Sequence, residues 1–419
     1  MTEPATRPAI EPDTGRAAGP DTGPAAGARV LVRSPGELVA VTPYLLGFHP
    51  TDSLVLIALP ATGNSVQVTV RADLTEARQD GIVDYLAALV AFTGGRRLLV
   101  LVYGAAPPAA RGGSAPPGCV PSGCGSLGSG APVSGAPEPA TLPDRDVVRL
   151  IGTAAALLDV ELLTALYVAG GRWWCYLPCG SRECCPPAGA ALLGHRSPVV
   201  ETAVSAGLTA LPDRAALAAT FDPVDGGRRR GMARAVAVAL RELVAAAAAD
   251  GGIGPWRVGA LVLLRSVLTG ISQGTVPWLA DPEAARLVVG LTDEVVRDVA
   301  WTWTNESPAR CGPAGELWRQ LGRRAEEPYS APPLFLAAWA AWRSGRGTVA
   351  LVALERALAA DPGYSAALLL EQLISRCHDP ATAGELIAPC PLVAGPSTGR
   401  HRRRTRPRDR TGGVAVRPR

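Results

Sequence analysis

Phe48-His-Pro-Thr-Asp-Ser-Leu-Val-Leu-Ile-Ala-Leu59 decides the class of fold. Its first half is turn chemistry, a proline among short polar side chains that bond to neighbouring backbone. Its second half, Leu54 to Leu59, is apolar at every position. A run of that length without polar alternation fits a strand covered on both faces. Upstream, Ser34-Pro-Gly-Glu37 starts a helix: Ser34 caps, Pro35 suits the first helical position, and Glu37 completes a capping box. That helix carries Leu38, Val41 and Leu45 and ends near Gly47. Downstream, Val66, Val68 and Val70 alternate as a second strand, so the two runs form a hairpin candidate.

The pattern continues with a helix over 75–92, a buried strand Arg97–Tyr103, a helix Asp144–Leu158, and strands Leu162–Val168 and Trp173–Leu177 around the turn Ala169-Gly-Gly171. Residues 29–197 therefore read as an α/β domain, a mixed sheet with packed helices. Between strand and helix, Gly, Pro, Ala and Ser fill 31 of the 40 positions 104–143, which predicts a disordered insert. Residues 1–28 read as a disordered leader.

From Pro198 the expectation is all-α. Residues 198–330 form a helical region with helices over 228–249, 256–269, 281–289, 291–303 and 314–326; Asp281 is expected to cap the third, with Pro282 following it. Residues 331–379 read as a tetratricopeptide-like helical hairpin plus a final helix, since Gly345, Ala350, Ala357 and Asp361-Pro362 carry that spacing. Leu334 and Ala338 stand where the repeat has Trp and Gly, and no second copy follows at the period. A lone copy has no neighbour to build a groove with, which favours a hairpin closing the core. Residues 380–419 read as a disordered Arg-rich tail.

Composition excludes some chemistry. All 41 basic residues are Arg, so Schiff-base and P-loop lysines are absent. Residues 400–419 hold nine Arg and one Asp, which leaves the other 399 residues with 32 Arg against 36 acids. A mildly acidic body with a basic tail argues against a nucleic-acid-binding domain, apart from nonspecific contact by the tail. The opening residues lack an apolar export segment, and no apolar run reaches bilayer-spanning length. The expected setting is cytoplasmic, without membrane, where the nine Cys stay reduced or ligate metal.

Three constellations bear on chemistry. Cys175, Cys179, Cys184 and Cys185 lie close together with His195 after them. Zinc is the one cofactor they suggest, held by Cys179, Cys184 or Cys185 and His195, although vicinal cysteines rarely share one ion and inert thiols fit the spacing better. His49, Asp52 and Ser53 suggest catalysis at the strand ends, with Arg172 converging. Triad members, however, normally lie far apart in sequence, and a turn role for Asp52 and Ser53 is the simpler reading. Trp173-Trp174, Trp301, Trp303, Trp339 and Trp342 are core candidates. No GxSxG, P-loop, HExxH or GxGxxG element occurs.

Val32-Arg-Ser-Pro-Gly-Glu-Leu38 and Pro43-Tyr-Leu-Leu-Gly-Phe-His-Pro-Thr-Asp-Ser53 resemble a family of actinobacterial proteins described as domain of unknown function 4192. Gly171-Arg-Trp-Trp with Cys184-Cys-Pro-Pro187, Glu316-Leu-Trp318, and the segment Ala353 to Tyr364 carry the same resemblance, which spans roughly residues 30 to 377. It implies a cytoplasmic bacterial setting and no assigned activity. The leading functional expectation is a non-enzymatic regulatory or adaptor protein that binds a protein partner through its helical half. The alternatives are an enzyme or ligand-binding protein near His49, Asp52 and Ser53, and a thiol or zinc switch at Cys179–Cys185.

Overall fold

Ser34 Oγ accepts the Glu37 amide at 3.2 Å and Glu37 Oε2 accepts the Arg33 amide at 2.6 Å, so the capping residues fasten α1 (Pro35–Leu46) at its start. At its end the Gly47 amide donates to Pro43 O with φ +87°, a left-handed turn that favours glycine. The computed structural model describes residues 32–62, 66, 68–77, 86–87, 89–90, 94–105, 142–177, 186, 188–194, 197–274, 278–376 and 378–386. The leader, nearly all of the 104–143 insert and the tail beyond 386 lie outside the described residues.

The sheet is mixed, as the alternation of strands and helices predicts. β1 (Ser53–Leu59) is buried at every position and pairs antiparallel with both β2 (Val68–Asp73) and β3 (Arg97–Tyr103). β3 runs parallel to β4 (Glu161–Ala169), reached through α3 (Arg145–Leu157), after the short α2 (Leu74–Ala77). β5 (Arg172–Cys175) and the two-residue β6 (Ala190–Ala191) extend the sheet antiparallel, giving the order β2-β1-β3-β4-β5-β6. β2 begins two residues later than its valine alternation predicts and runs on to Asp73. Pairing with β1 sets its bounds, with Arg71 opposite Val55.

Strand alternation sorts the buried side chains onto two faces. Leu54, Leu56, Val100, Val102, Ala165 and Tyr167 meet Val148, Ile151 and Ala155 of α3. Val55, Ile57, Leu101, Tyr103, Leu166 and Trp173 point the other way, into one buried cluster that includes α1 and the helices that follow.

Those helices are α4 (Pro198–Ser205), α5 (Arg214–Ala219), α6 (Gly226–Ala248), α7 (Gly254–Ser272), α8 (Asp281–Gly290), α9 (Glu294–Asn305), α10 (Pro308–Arg324), α11 (Ala331–Arg343), α12 (Gly347–Ala360), α13 (Ser365–Ser375) and α14 (Pro380–Leu386). The first residues of the expected tail are thus helical. Among the described residues no helix is long and apolar enough to cross a membrane.

α11 sits at the centre of this half. Ala331 through Trp342 are all buried, between α10 and α12 with α9 alongside. Trp301 of α9 meets Phe335 and Trp339 edge-on, at centroid distances of 5.0 and 5.1 Å. Each such side chain contributes about 1.5–3 kcal/mol of burial before ordering costs. α11 and α12 pack against each other, and Ala338, Ala350 and Ala357 are fully buried. The first helix of the pair is buried along almost its whole length.

Asp281 does not cap α8. It is the first helical residue, and Glu283 Oε2 takes the Ala280 amide at 3.3 Å instead. The Asp281 carboxylate is drawn away by Arg324, 43 residues on, at 2.5 Å.

Candidate functional site

The turn before β1 brings His49, Asp52 and Ser53 together in sequence but not in environment. The His49 side chain is exposed; its amide donates to Leu211 O and the Leu211 amide to Gly47 O, both at 2.9 Å. This one-residue bridge ties the turn to the chain before α5. Asp52 is exposed at φ +44°, a conformation Asp tolerates better than most residues, and its carbonyl takes the Leu74 amide. Ser53 is fully buried. Its hydroxyl donates to Thr51 O at 2.6 Å and accepts Arg71 Nε at 2.9 Å, while Arg71 Nη2 reaches Asp73 at 2.6 Å. The hydroxyl proton is thus committed to backbone and one lone pair to a guanidinium, which suits a structural turn better than a nucleophile.

Arg172 opens β5 at the same end of the sheet. Its Nη1 donates to Gly189 O at 2.8 Å and pins the residue just before β6. Cys179, Cys184, Cys185 and His195 lie outside the described residues. Among the described residues, Cys175 and Cys311 form no disulfide, and no group of three or more His, Cys, Asp or Glu is placed to hold a metal ion.

A cleft of about 350 Å³ opens where α1 meets the helical half. Tyr44, Leu46 and Gly47 supply one wall, and Leu208, Leu211 and Phe221 a second. Gly312, Gly315, Glu316 and Arg319 of α10 supply a third, and Ala337 and Ala341 of α11 the floor. Val349 and Arg346, at the start of α12, close the remaining side. The junction is fastened beside it: Thr348 Oγ1 donates to Leu46 O at 2.5 Å. Gly315 lets α10 and α11 approach, since a Cβ there would lie 3.2 Å from that of Ala340. At Gly312 a Cβ would meet nothing within 4 Å, so a side chain added there has open space before it.

The polar groups of the cleft are arranged unequally. Burial works to raise the Glu316 carboxyl, but bonds from Arg319 (Nε 2.9 Å, Nη2 2.6 Å) and Gln320 (2.9 Å) outweigh it and hold the carboxyl below its ordinary range. Arg319 Nη1 is further spent on Thr220 O at 2.7 Å. Arg346 makes no hydrogen bond or ion pair with its side chain among the described residues. Burial draws its guanidinium below the ordinary arginine range, although the residue keeps contact with solvent. Cys311 itself is pushed up by burial against the opposing Arg343, Ser344 and Arg346, so it stays a neutral thiol. Glu316 and Arg319 cancel, and the cleft retains one positive charge at Arg346.

Chemically, such a cleft can take an apolar group and a carboxylate. Leu46, Leu208, Phe221 and Val349 offer apolar surface, and Arg346 offers unpaired donors. None of its polar side chains was singled out by sequence reasoning as a site residue. Tyr44–Gly47 and Glu316 do fall within the segments that carry the family resemblance, and that was the only signal pointing to them.

A family model described as Domain of unknown function (DUF4192) matches residues 35–381. No curated protein and no solved structure matches the chain.

Proposed function

We infer the function of this chain, which belongs to the DUF4192 family, from the cleft at the junction of α1 with α10, α11 and α12: it is a non-enzymatic adaptor that receives an apolar, acidic segment of a protein partner. The observation that carries this reading is the unpaired, partly desolvated Arg346 in a cleft whose other charges cancel. An occupant with a carboxylate beside an aliphatic or aromatic side chain supplies both missing complements, at the cost of ordering only a short segment. The committed Ser53 hydroxyl supports a binding role over acyl-transfer chemistry at the turn. The reading keeps the partner on the helical half, in the space between the helical pair and α1.

Selection of a random-peptide display library on the full chain tests this. Peptides combining acidic and apolar residues are expected to be enriched, and to be lost when the selection is repeated on Gly312→Leu, whose side chain projects into the cleft. No enrichment, or enrichment that survives Gly312→Leu in a folded protein, would overturn the reading.

A further inference from the structure

Another cavity, of about 360 Å³, shares no lining residue with the cleft and is lined by Arg228, Trp278, Asp281 and Arg324. Trp278 is 66% exposed, in contrast to the buried tryptophans of the core. Arg324 lies behind its ring with the guanidinium carbon 5.0 Å from the ring centroid, and is itself almost wholly buried. Arg324 is in turn clamped, Nη1 to Leu279 O at 2.9 Å and Nη2 to Asp281 Oδ1 at 2.5 Å. The ring is therefore held from behind and open in front. Gly231 sets the wall opposite: a Cβ there would fall 2.6 Å from Asp281 Oδ2, so its absence lets Asp281 lie against α6. One turn earlier on that helix stands Arg228, whose nearest carboxylate, Asp225 at 3.6 Å, pairs with it only at the solvent-exposed surface.

The charges choose among occupants. A cation on the open face of Trp278 would meet the field of the guanidinium on the other face, and the one carboxylate of the cavity is already spent on that guanidinium. An electron-rich planar ring stacks there without that penalty, and Arg228 remains for an anionic group attached to it. We propose that this cavity is a binding site for a nucleotide-class ligand, a heteroaromatic ring stacked on Trp278 with its phosphate on Arg228. The volume suits one mononucleotide.

Calorimetric titration of the full chain with adenosine 5′-monophosphate, adenosine and inorganic phosphate at low salt tests the assignment. The monophosphate is expected to bind saturably and more tightly than either fragment. Trp278→Ala should weaken the monophosphate roughly tenfold and leave phosphate unaffected, with Trp278→Phe restoring most of the loss. Arg228→Ala should weaken monophosphate and phosphate while sparing adenosine. Both positions are exposed, and circular dichroism of each variant checks that it folds. Gly312→Leu, which fills the other cleft, should leave all three titrations unchanged, separating this site from the adaptor reading. Absence of saturable monophosphate binding would refute the site. So would phosphate binding as tight as monophosphate, or affinity unmoved by Trp278→Ala.

Discussion

Replacing Ser53 with Ala separates a structural turn from a catalytic one. The hydroxyl makes two bonds in a fully buried position, donating to Thr51 O at 2.6 Å and accepting from Arg71 Nε at 2.9 Å. Removing it leaves the Thr51 carbonyl and the Arg71 Nε–H without these partners. A lost neutral bond costs about 0.5–1.5 kcal/mol and one to a charged group about 1.5–3 kcal/mol. Arg71 retains Asp73, and local relaxation recovers part of the loss, so the net expectation is roughly 2 kcal/mol. Equilibrium urea denaturation, followed by tryptophan fluorescence and by circular dichroism, reads this directly as a lower midpoint at unchanged slope. Ser53→Thr keeps the hydroxyl and should lose less. A Ser53→Ala variant as stable as the parent would refute the assignment of this hydroxyl to the turn and return it to the list of chemical candidates.

Further outcomes follow from the same geometry. Ile57→Ala opens space in the cluster shared by the sheet, α1 and the helical half, so it should cost about 2–5 kcal/mol and lower a single unfolding transition; two calorimetric transitions with only one shifted would contradict a shared core. Gly312→Ala adds a methyl to α10 with nothing within 4 Å and should stabilise by about 0.5–1 kcal/mol in the same urea assay. Because the folded Glu316 carboxyl is held low, its contribution is full above the unfolded carboxylate value of about 4.3 and is lost as pH falls through the depressed folded value. The stability gap between the parent and Glu316→Gln should therefore be widest near neutrality and close in acid; a gap that is flat with pH would contradict the Arg319 and Gln320 bonds.

Much of the fold was legible because its signals are local. Ser34, Pro35 and Glu37 sit within one turn and announce α1, and the unbroken run Arg97–Tyr103 is a strand end to end. Legibility failed where a distant residue decides. Asp281 followed by a proline reads as a cap, but Arg324 takes its carboxylate. Ala190–Ala191 carries no strand pattern and becomes β6 only by pairing with Arg172 and Trp173. The two helices expected on either side of Gly345 do pack against each other. The spacing could not reveal that Ala331–Trp342 would be enclosed by α9 and α10 as well. The site was less legible still. His49, Asp52 and Ser53 drew notice through adjacency, whereas the cleft collects Tyr44, Phe221, Glu316 and Arg346 from about 300 residues of chain. Arg346, in the short turn between α11 and α12, carries no mark in the sequence of the partnerless place it occupies.

The most direct measurement is calorimetric titration of a display-selected peptide into the parent chain and into Arg346→Gln. A charge-assisted bond lost in a partly desolvated cleft should weaken binding by about ten- to a hundredfold, and added salt should narrow the difference. Equal affinity for the two proteins, in a variant that folds like the parent, would contradict the placing of the partner's carboxylate at Arg346 and with it the adaptor reading of the cleft.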